Sequence, residues 1–267
     1  MELTDAHLHL QAPELAPHLA EIWPEMARLG ISRAVVNGTC EADWKSVAAL
    51  AREQAAVIPS FGLHPWHVRK RTDAWLATLE EWLQVFPAAG VGEVGLDRWV
   101  KDNDPTEQLP VFQQQLELAA RRNRPVTIHC IQAWGLLLEV LRAMPPPRGF
   151  LLHAYGGSWE MAQAFAGLGA WFSFSPHFLH ERKAAQRDVF RRLPIDRLLL
   201  ETDAPALWPP PERNRHPLTD PATGTTINHP ANLEVTLAGL AELRGLSASD
   251  LAAVTEQNFN RWWDAHR

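Results

Sequence analysis

Only two cysteines, Cys40 and Cys130, occur among the 267 residues. That excludes a disulfide framework and fits a reducing compartment. Basic charge is also scarce: 25 Lys and Arg stand against 31 Asp and Glu, for a net charge of -6. No basic face for electrostatic capture of duplex DNA is advertised. No apolar run approaches the ~18 residues of a membrane span. The opening MELTDAHLHLQAPEL is too polar for a secretory signal. A GxGxxG fingerprint, a Walker loop and a GxSxG elbow are all missing. What is present is the composition of a soluble globular enzyme, expected in the cytoplasm, with 46% hydrophobic and 21% charged residues. The chain is long enough to bury a large core without disulfides or a structural metal.

Short apolar runs alternate with helix-patterned segments from end to end. The runs cover 3–10, 33–39, 56–64, 89–97, 125–130, 149–155, 170–175 and 197–203. Most are apolar on both faces, as strands of a parallel sheet covered by helices are. Helical spacing covers about 16–29, 43–55, 73–86, 104–122, 133–144, 158–168, 182–192 and 232–244, and a last helix opens at Ser247 and Asp250. In 104–122, Asp104 is the expected N-cap, Pro105 the first helical residue and Glu107 the reciprocal cap. No linker divides the chain. Eight strand–helix units predict an α/β fold, a single (β/α)8 TIM barrel domain over 1–267 with its site at the C-terminal mouth. The proline-rich stretch 204–231 comes after strand eight and is expected to be an ordered cover over that mouth.

Polar residues collect at one end of these strands. His7 and His9 close strand one, Glu93 is late in strand four, His129 ends strand five, His153 ends strand six and Asp203 ends strand eight. Taken singly, each has a structural reading. Glu93 can pair with Arg98, His129 and His153 can be hydrogen-bonded core histidines, and Asp203 can cap the segment after it. Taken together, six ligand-type residues at the same end of five strands are hard to explain by packing. Burying four imidazoles and two carboxylates uncompensated is expensive, and a metal centre supplies the compensation. Positions 7 and 9 point to the same side of a strand, so both imidazoles can grip one ion. Glu93 can bridge two ions through its two oxygens. Mixed His and carboxylate ligands suit zinc, manganese, iron or nickel better than calcium; magnesium is kept with zinc and manganese as a candidate for the two divalent ions.

His64, in GLHP, ends strand three at the same mouth, as a substrate contact or as a turn capped with Pro65. Glu201 is either a group that orients a ligand or half of a buried pair. Trp66, Trp99, Trp134 and Trp208 come after strand ends and can line the mouth. Cys40 and Cys130 read as inert thiols.

The segments TDAHLHL (4–10), GLHP (62–65), VGEVGLD (91–97), PVTIHC (125–130), LLHAYGGS (151–158), LLLETDAP (198–205) and NHPANL (228–233) together resemble the TatD family of metal-dependent hydrolases. The resemblance covers nearly the whole chain. It implies a (β/α)8 barrel with a two-ion centre. His7, His9, Glu93 and Asp203 would hold one ion, and Glu93, His129 and His153 the other. It also implies His64 as a substrate contact, with Arg98 and Tyr155 as further candidates. Three departures stand out. His-Ser-Arg after strand five is here His129, Cys130, Ile131; Phe-Ser-Gly after the strand-six His is Tyr155, Gly156, Gly157; and the aromatic after GLD is Arg98. The ligand set is intact while the substrate-contacting residues differ, and Ile131 offers a phosphate no donor.

The expected activity is metal-dependent hydrolysis of phosphodiesters at DNA ends, with Asp203 and Glu93 as the catalytic carboxylates. The alternatives are hydrolysis of a small ester, amide or lactone by the same centre, and a barrel that binds without catalysis. DNA or a small phosphoester or ester is the expected partner, with no membrane and no obligate protein partner.

Overall fold

The computed structural model describes residues 1–99 and 105–263. Eight strands form one sheet in sequence order: β1 (Leu3–Leu8), β2 (Ile31–Asn37), β3 (Val57–Phe61), β4 (Gly90–Asp97), β5 (Val126–Ile131), β6 (Phe150–Leu152), β7 (Ala170–Phe174) and β8 (Leu198–Leu200). Every neighbouring pair is parallel. The ends meet: the Asp203 amide donates to the His7 carbonyl at 3.0 Å, and the His9 amide to the Ala204 carbonyl at 2.8 Å. The sheet therefore closes into the expected (β/α)8 barrel. Strands apolar on both faces need cover outside and side chains inside, and the alternation of strand and helix supplies the cover.

The cover consists of α1 (Leu19–Arg28), α2 (Trp44–Glu53), α3 (Trp75–Val85), α4 (Pro105–Arg122), α5 (Trp134–Ala143), α6 (Trp159–Gly167), α7 (Ala184–Arg192), α8 (Leu233–Arg244) and α9 (Ala248–Trp263). The expected cap Asp104 lies outside the described residues. Pro105 opens α4, and the Glu107 carboxylate accepts from the Arg69 guanidinium at 2.6 Å; the expected reciprocal cap involves Asp104 and so also lies outside the described residues. Ser158 caps α6 by accepting from the Met161 amide at 3.3 Å.

The stretch 204–231 is ordered. It carries a small antiparallel pair, β9 (Pro217–Thr219) and β10 (Thr226–Asn228). The Asn228 side chain donates to the Thr202 carbonyl at 2.8 Å, and its amide donates to the Pro205 carbonyl at 2.8 Å. These bonds hold the stretch against the end of β8.

The floor of the barrel is a separate apolar cluster. Ala6, Val35, Leu151, Trp171 and Leu199 pack there against Phe259, Trp262 and Trp263 of α9. Arg33 pins that helix. Its guanidinium donates to Glu256 at 2.5 Å and to Asn260 at 2.7 Å, and stacks over Phe259 at 4.7 Å.

One glycine in β4 is dictated by the neighbouring strand. The ladder sets Gly95 opposite His129. A methyl group on Gly95 would lie 1.9 Å from the His129 carbonyl oxygen, and its φ of +149° is one that side-chain-bearing residues rarely adopt. Gly95→Ala is expected to destabilise the fold by about 3 kcal/mol, since the obstacle is backbone that cannot turn aside. An unchanged urea midpoint would contradict this.

Candidate metal centre

The strand ends deliver their polar residues to one point at the C-terminal mouth. Asp203 and Glu93 face His7 and His9. His7 Nε2 lies 3.2 Å from Asp203 Oδ1 and 3.5 Å from Glu93 Oε2; His9 Nε2 lies 3.4 Å and 3.2 Å from the same two oxygens. Donor atoms on a tetrahedron with bonds of about 2.1 Å stand about 3.4 Å apart, so these spacings match a coordination shell. His7 is fully buried, and neither of its ring nitrogens has a hydrogen-bond partner despite these close approaches. For Nε2, a lone pair aimed at a common point between the residues accounts for this.

The other oxygen of Glu93 faces a different set. Oε1 is 2.9 Å from His129 Nδ1, 2.9 Å from His153 Nε2 and 3.4 Å from His64 Nε2. Among the described residues, His7–His9–Glu93, His7–His153–Asp203 and His64–Glu93–His129 each bring three ligand atoms within 4.8 Å of one another.

Backbone and carboxylate partners choose which ring nitrogen is available. The Asn37 carbonyl is 2.8 Å from His9 Nδ1. A carbonyl only accepts, so Nδ1 carries the proton and Nε2 keeps its lone pair. Asp97 Oδ2 does the same for His129 from the opposite nitrogen, accepting from Nε2 at 2.9 Å and freeing Nδ1. Asp97 is wholly buried, and it also accepts from the Trp66 indole at 2.7 Å and the Trp99 amide at 2.7 Å. Its own backbone is clasped by the Gln108 side chain, with bonds of 2.7 and 2.8 Å. Asp97→Asn is expected to lower metal affinity about 10- to 100-fold, because the ring loses its orienting carboxylate. Titration against a competing chelator reads this, and wild-type affinity would contradict it.

Burial opposes charge on all these groups, and the contacts between carboxylates and imidazoles outweigh it for most. His9 is lifted to about 10 by Asp203 and Glu93 against its burial. His129 and His153 are also raised, against burial, by their carboxylate neighbours. Glu93 and Asp203 are held well below the usual carboxylate range by the surrounding imidazoles, again against burial. His64 is the exception: burial pulls it down to about 4, and Glu93 offsets only part. Imidazoles that hold protons against their burial, beside carboxylates that stay ionised there, are suited to bind cations, which displace the protons.

Of the other expected residues, His64 takes the capping role and also faces the cluster. Its Nδ1 accepts from the Trp66 amide at 3.1 Å and caps the turn, while Nε2 faces Glu93. Glu201 accepts from the Ser173 hydroxyl and keeps Oε1 at 3.9 Å from His153 Nδ1. Glu93 turns to the imidazoles and not to Arg98, which is exposed on the rim and lines neither cavity of the mouth. Tyr155 is a correction. It is fully buried, stacked edge-on to Trp134 and Phe172, and its hydroxyl donates to the Ser158 carbonyl at 2.8 Å. The chain turns after His153 and points the ring into the helix layer, so it offers substrate no contact. Cys130 is buried, which pushes its thiol up and leaves it inert.

Asp97, Asn37 and Asp5 do not stand out by their sequence positions. Buried Asp5 ties β1 to the end of β8, accepting from the Thr202 hydroxyl at 2.5 Å, the Thr202 amide at 3.1 Å and the His7 amide at 3.2 Å. Its burial raises the carboxyl to about 8. The usable signal is a carboxylate inside each of two apolar runs, TDAH and GLD.

The mouth opens into two cavities that share Trp66, His129, His153, Asp203 and Ala206. One, of about 370 Å³, lies over the cluster. The other, of about 430 Å³, lies beside it and is walled by Trp99, Ile131, Trp134 and Phe178. Pro205 and Ala206, from the stretch expected as a cover, line the first; Trp208 lines neither and is 42% exposed. No helix among the described residues is long and apolar enough to cross a membrane.

Known proteins share this arrangement of strands and motifs. The metal-dependent hydrolase YjjV of Escherichia coli K12 is 32% identical over 203 residues, 75% of this chain and 78% of the relative. Its crystal structure superposes with a TM-score of 0.90 at 28% identity, covering 98% of each chain. The 3'-5' ssDNA/RNA exonuclease TatD of Erwinia tasmaniensis is 29% identical over 260 residues, 96% of this chain and 98% of the relative. The profile of TatD related DNase matches residues 4–264. Barrel, strand-end ligands and family profile coincide over the same span, and the chain is a metal-dependent hydrolase belonging to the TatD-related DNase family.

Proposed function

We propose that this protein hydrolyses phosphodiesters at the ends of single-stranded nucleic acid, using a centre of two divalent ions. The observation that carries the reading is Glu93, whose Oε2 faces His7 and His9 while Oε1 faces His129 and His153. A carboxylate so placed would bridge the two ions. His7, His9, Glu93 and Asp203 would hold one ion, and Glu93, His129 and His153 the other. Zinc, manganese and magnesium are the candidates. Bound there, two ions supply an activated water and charge neutralisation on the attacking and leaving oxygens.

The chain's own groups do the rest. Asp203, ionised at the lip of the cluster, accepts the proton of the attacking water. His64, kept neutral by burial, offers Nε2 to the substrate beside Glu93. Asp97 and the Asn37 carbonyl keep the rings aimed. Every ligand-type residue of the cluster comes from this one barrel domain. The two unpaired thiols agree with a reducing, cytoplasmic setting.

DNA is preferred to a small ester because the Erwinia relative is named a single-stranded DNA and RNA exonuclease. The test uses chelator-stripped protein reloaded with zinc, manganese or magnesium. It is assayed on a 5'-labelled single-stranded oligonucleotide, on bis(p-nitrophenyl) phosphate and on p-nitrophenyl acetate. Metal-dependent shortening of the oligonucleotide is expected. An intact oligonucleotide beside metal-dependent ester cleavage would assign the centre to small esters. Protein that neither retains nor responds to metal would make the barrel a binding module.

A further inference from the structure

The second cavity holds a charge that the metal centre does not use. Among the described residues, Lys183 is the one lysine or arginine lining either cavity. It stands half-buried just before α7, beside His177, and no carboxylate pairs with it among the described residues. Other cations that could reach a phosphate are engaged elsewhere or absent from the walls. Arg33 is tied to Glu256 beneath the barrel, Arg69 is paired with Glu107 at 2.6 Å, and Arg98 lines neither cavity. Ile131 at the end of β5 contributes only an apolar wall.

The same chamber is lined by the aromatic side chains of Trp66 and Trp99. Trp66 is 45% exposed, yet its indole N–H is fixed on Asp97. Trp99 is 64% exposed, and its amide is fixed on the same carboxylate. The Trp66 ring, already held through its indole, loses little entropy when a base stacks on it. Burial lowers the Lys183 ammonium, and that ammonium in turn helps burial bring His177 down to about 4. Its charge thus acts into the same chamber.

We propose that Lys183 is the phosphate anchor of this chamber: its ammonium receives the phosphodiester next to the scissile one, while the base between them lies against Trp66 and Trp99. The proposal rests on the nuclease reading and deepens it. It implies a substrate of at least two phosphodiesters, and a role in specificity instead of in the chemical step.

Lys183→Met and Lys183→Arg test it on the metal-loaded enzyme. The substrates are a single-stranded oligonucleotide and bis(p-nitrophenyl) phosphate, which has one phosphodiester and nothing for Lys183 to hold. Lys183→Met is expected to lower the ratio of oligonucleotide to bis(p-nitrophenyl) phosphate kcat/KM about tenfold, mainly through KM. The slope of log kcat/KM against log salt should shrink by about 0.7, the value for one phosphate contact on a single strand. Lys183→Arg should restore most of both. Equal losses on the two substrates, or an oligonucleotide rate and salt slope matching wild type, would overturn the anchor and leave the nuclease reading standing. If wild type leaves the oligonucleotide intact while cleaving p-nitrophenyl acetate, both readings fall together.

Discussion

Glu93→Ala is expected to strip the protein of metal and bring hydrolysis to background. The carboxylate touches both imidazole sets, at 2.9 Å from His129 and His153 and 3.2 Å from His9. Asp203 approaches His7 and His9 at 3.2 and 3.4 Å but comes only within 4.8 Å of the His153 ligand atom, so it does not replace that contact. The loss should therefore exceed the roughly 10²–10⁴-fold that a missing general base produces alone. It also leaves buried imidazoles without their counter-charge, so the apo variant should lose stability as well. Elemental analysis after gel filtration reads the metal, and a discontinuous phosphodiester assay reads the rate. A variant that keeps two ions per chain would show that Glu93 is not the bridge.

Asp203→Asn should separate the two roles that Glu93 combines. The amide preserves an oxygen toward His7 and His9, which lie at 3.2 and 3.4 Å from Oδ1, but it cannot take a proton. Turnover at saturating metal is expected to fall about 10²–10⁴-fold, with most of the metal retained and KM little altered. The backbone should tolerate the change: Asp203 sits at φ +55°, a left-handed conformation that Asn adopts as readily as Asp. Near-wild-type turnover in the loaded variant would remove Asp203 from the proton transfer.

The barrel and the ligand cluster are legible in the chain because both are local patterns. An apolar run that ends in His or Asp marks a buried strand and its mouth-facing tip. That rule locates His7, His129, His153 and Asp203 without any distance. The rule also reaches Asp97, at the end of the run 89–97, but does not give its role. Its partner His129 is 32 residues away, and only the β4–β5 ladder brings the two together. Asn37 escapes because it acts through its carbonyl, which side-chain identity does not report. Tyr155 fails in the opposite direction. Two positions past a ligand, it has the right address for a substrate contact, but the chain rotates it into the space between Trp134 and Phe172. The pair β9–β10 escapes because three-residue strands in a proline-rich stretch carry no period to read. Lys183 escapes because a lysine in ERKAAQRD looks like one more solvated helix charge.

The aromatic floor built by Phe259, Trp262 and Trp263 also fixes a timetable. Translation delivers β1 through β8 before it delivers the helix that closes them from below. At about 5–20 residues per second, β1 waits roughly 10–50 s for that helix to emerge from the ribosome. During the wait Ala6 and Val35 have no Trp263 or Phe259 to cover them. The nascent barrel is at its stickiest when its chemistry is already fully encoded, since the last residue of the proposed ligand set is Asp203. A nonsense codon within α9 would spare every ligand yet release a chain with an open underside. Lesions there are expected to lower cellular abundance, so that the loss of activity would be a failure of maturation.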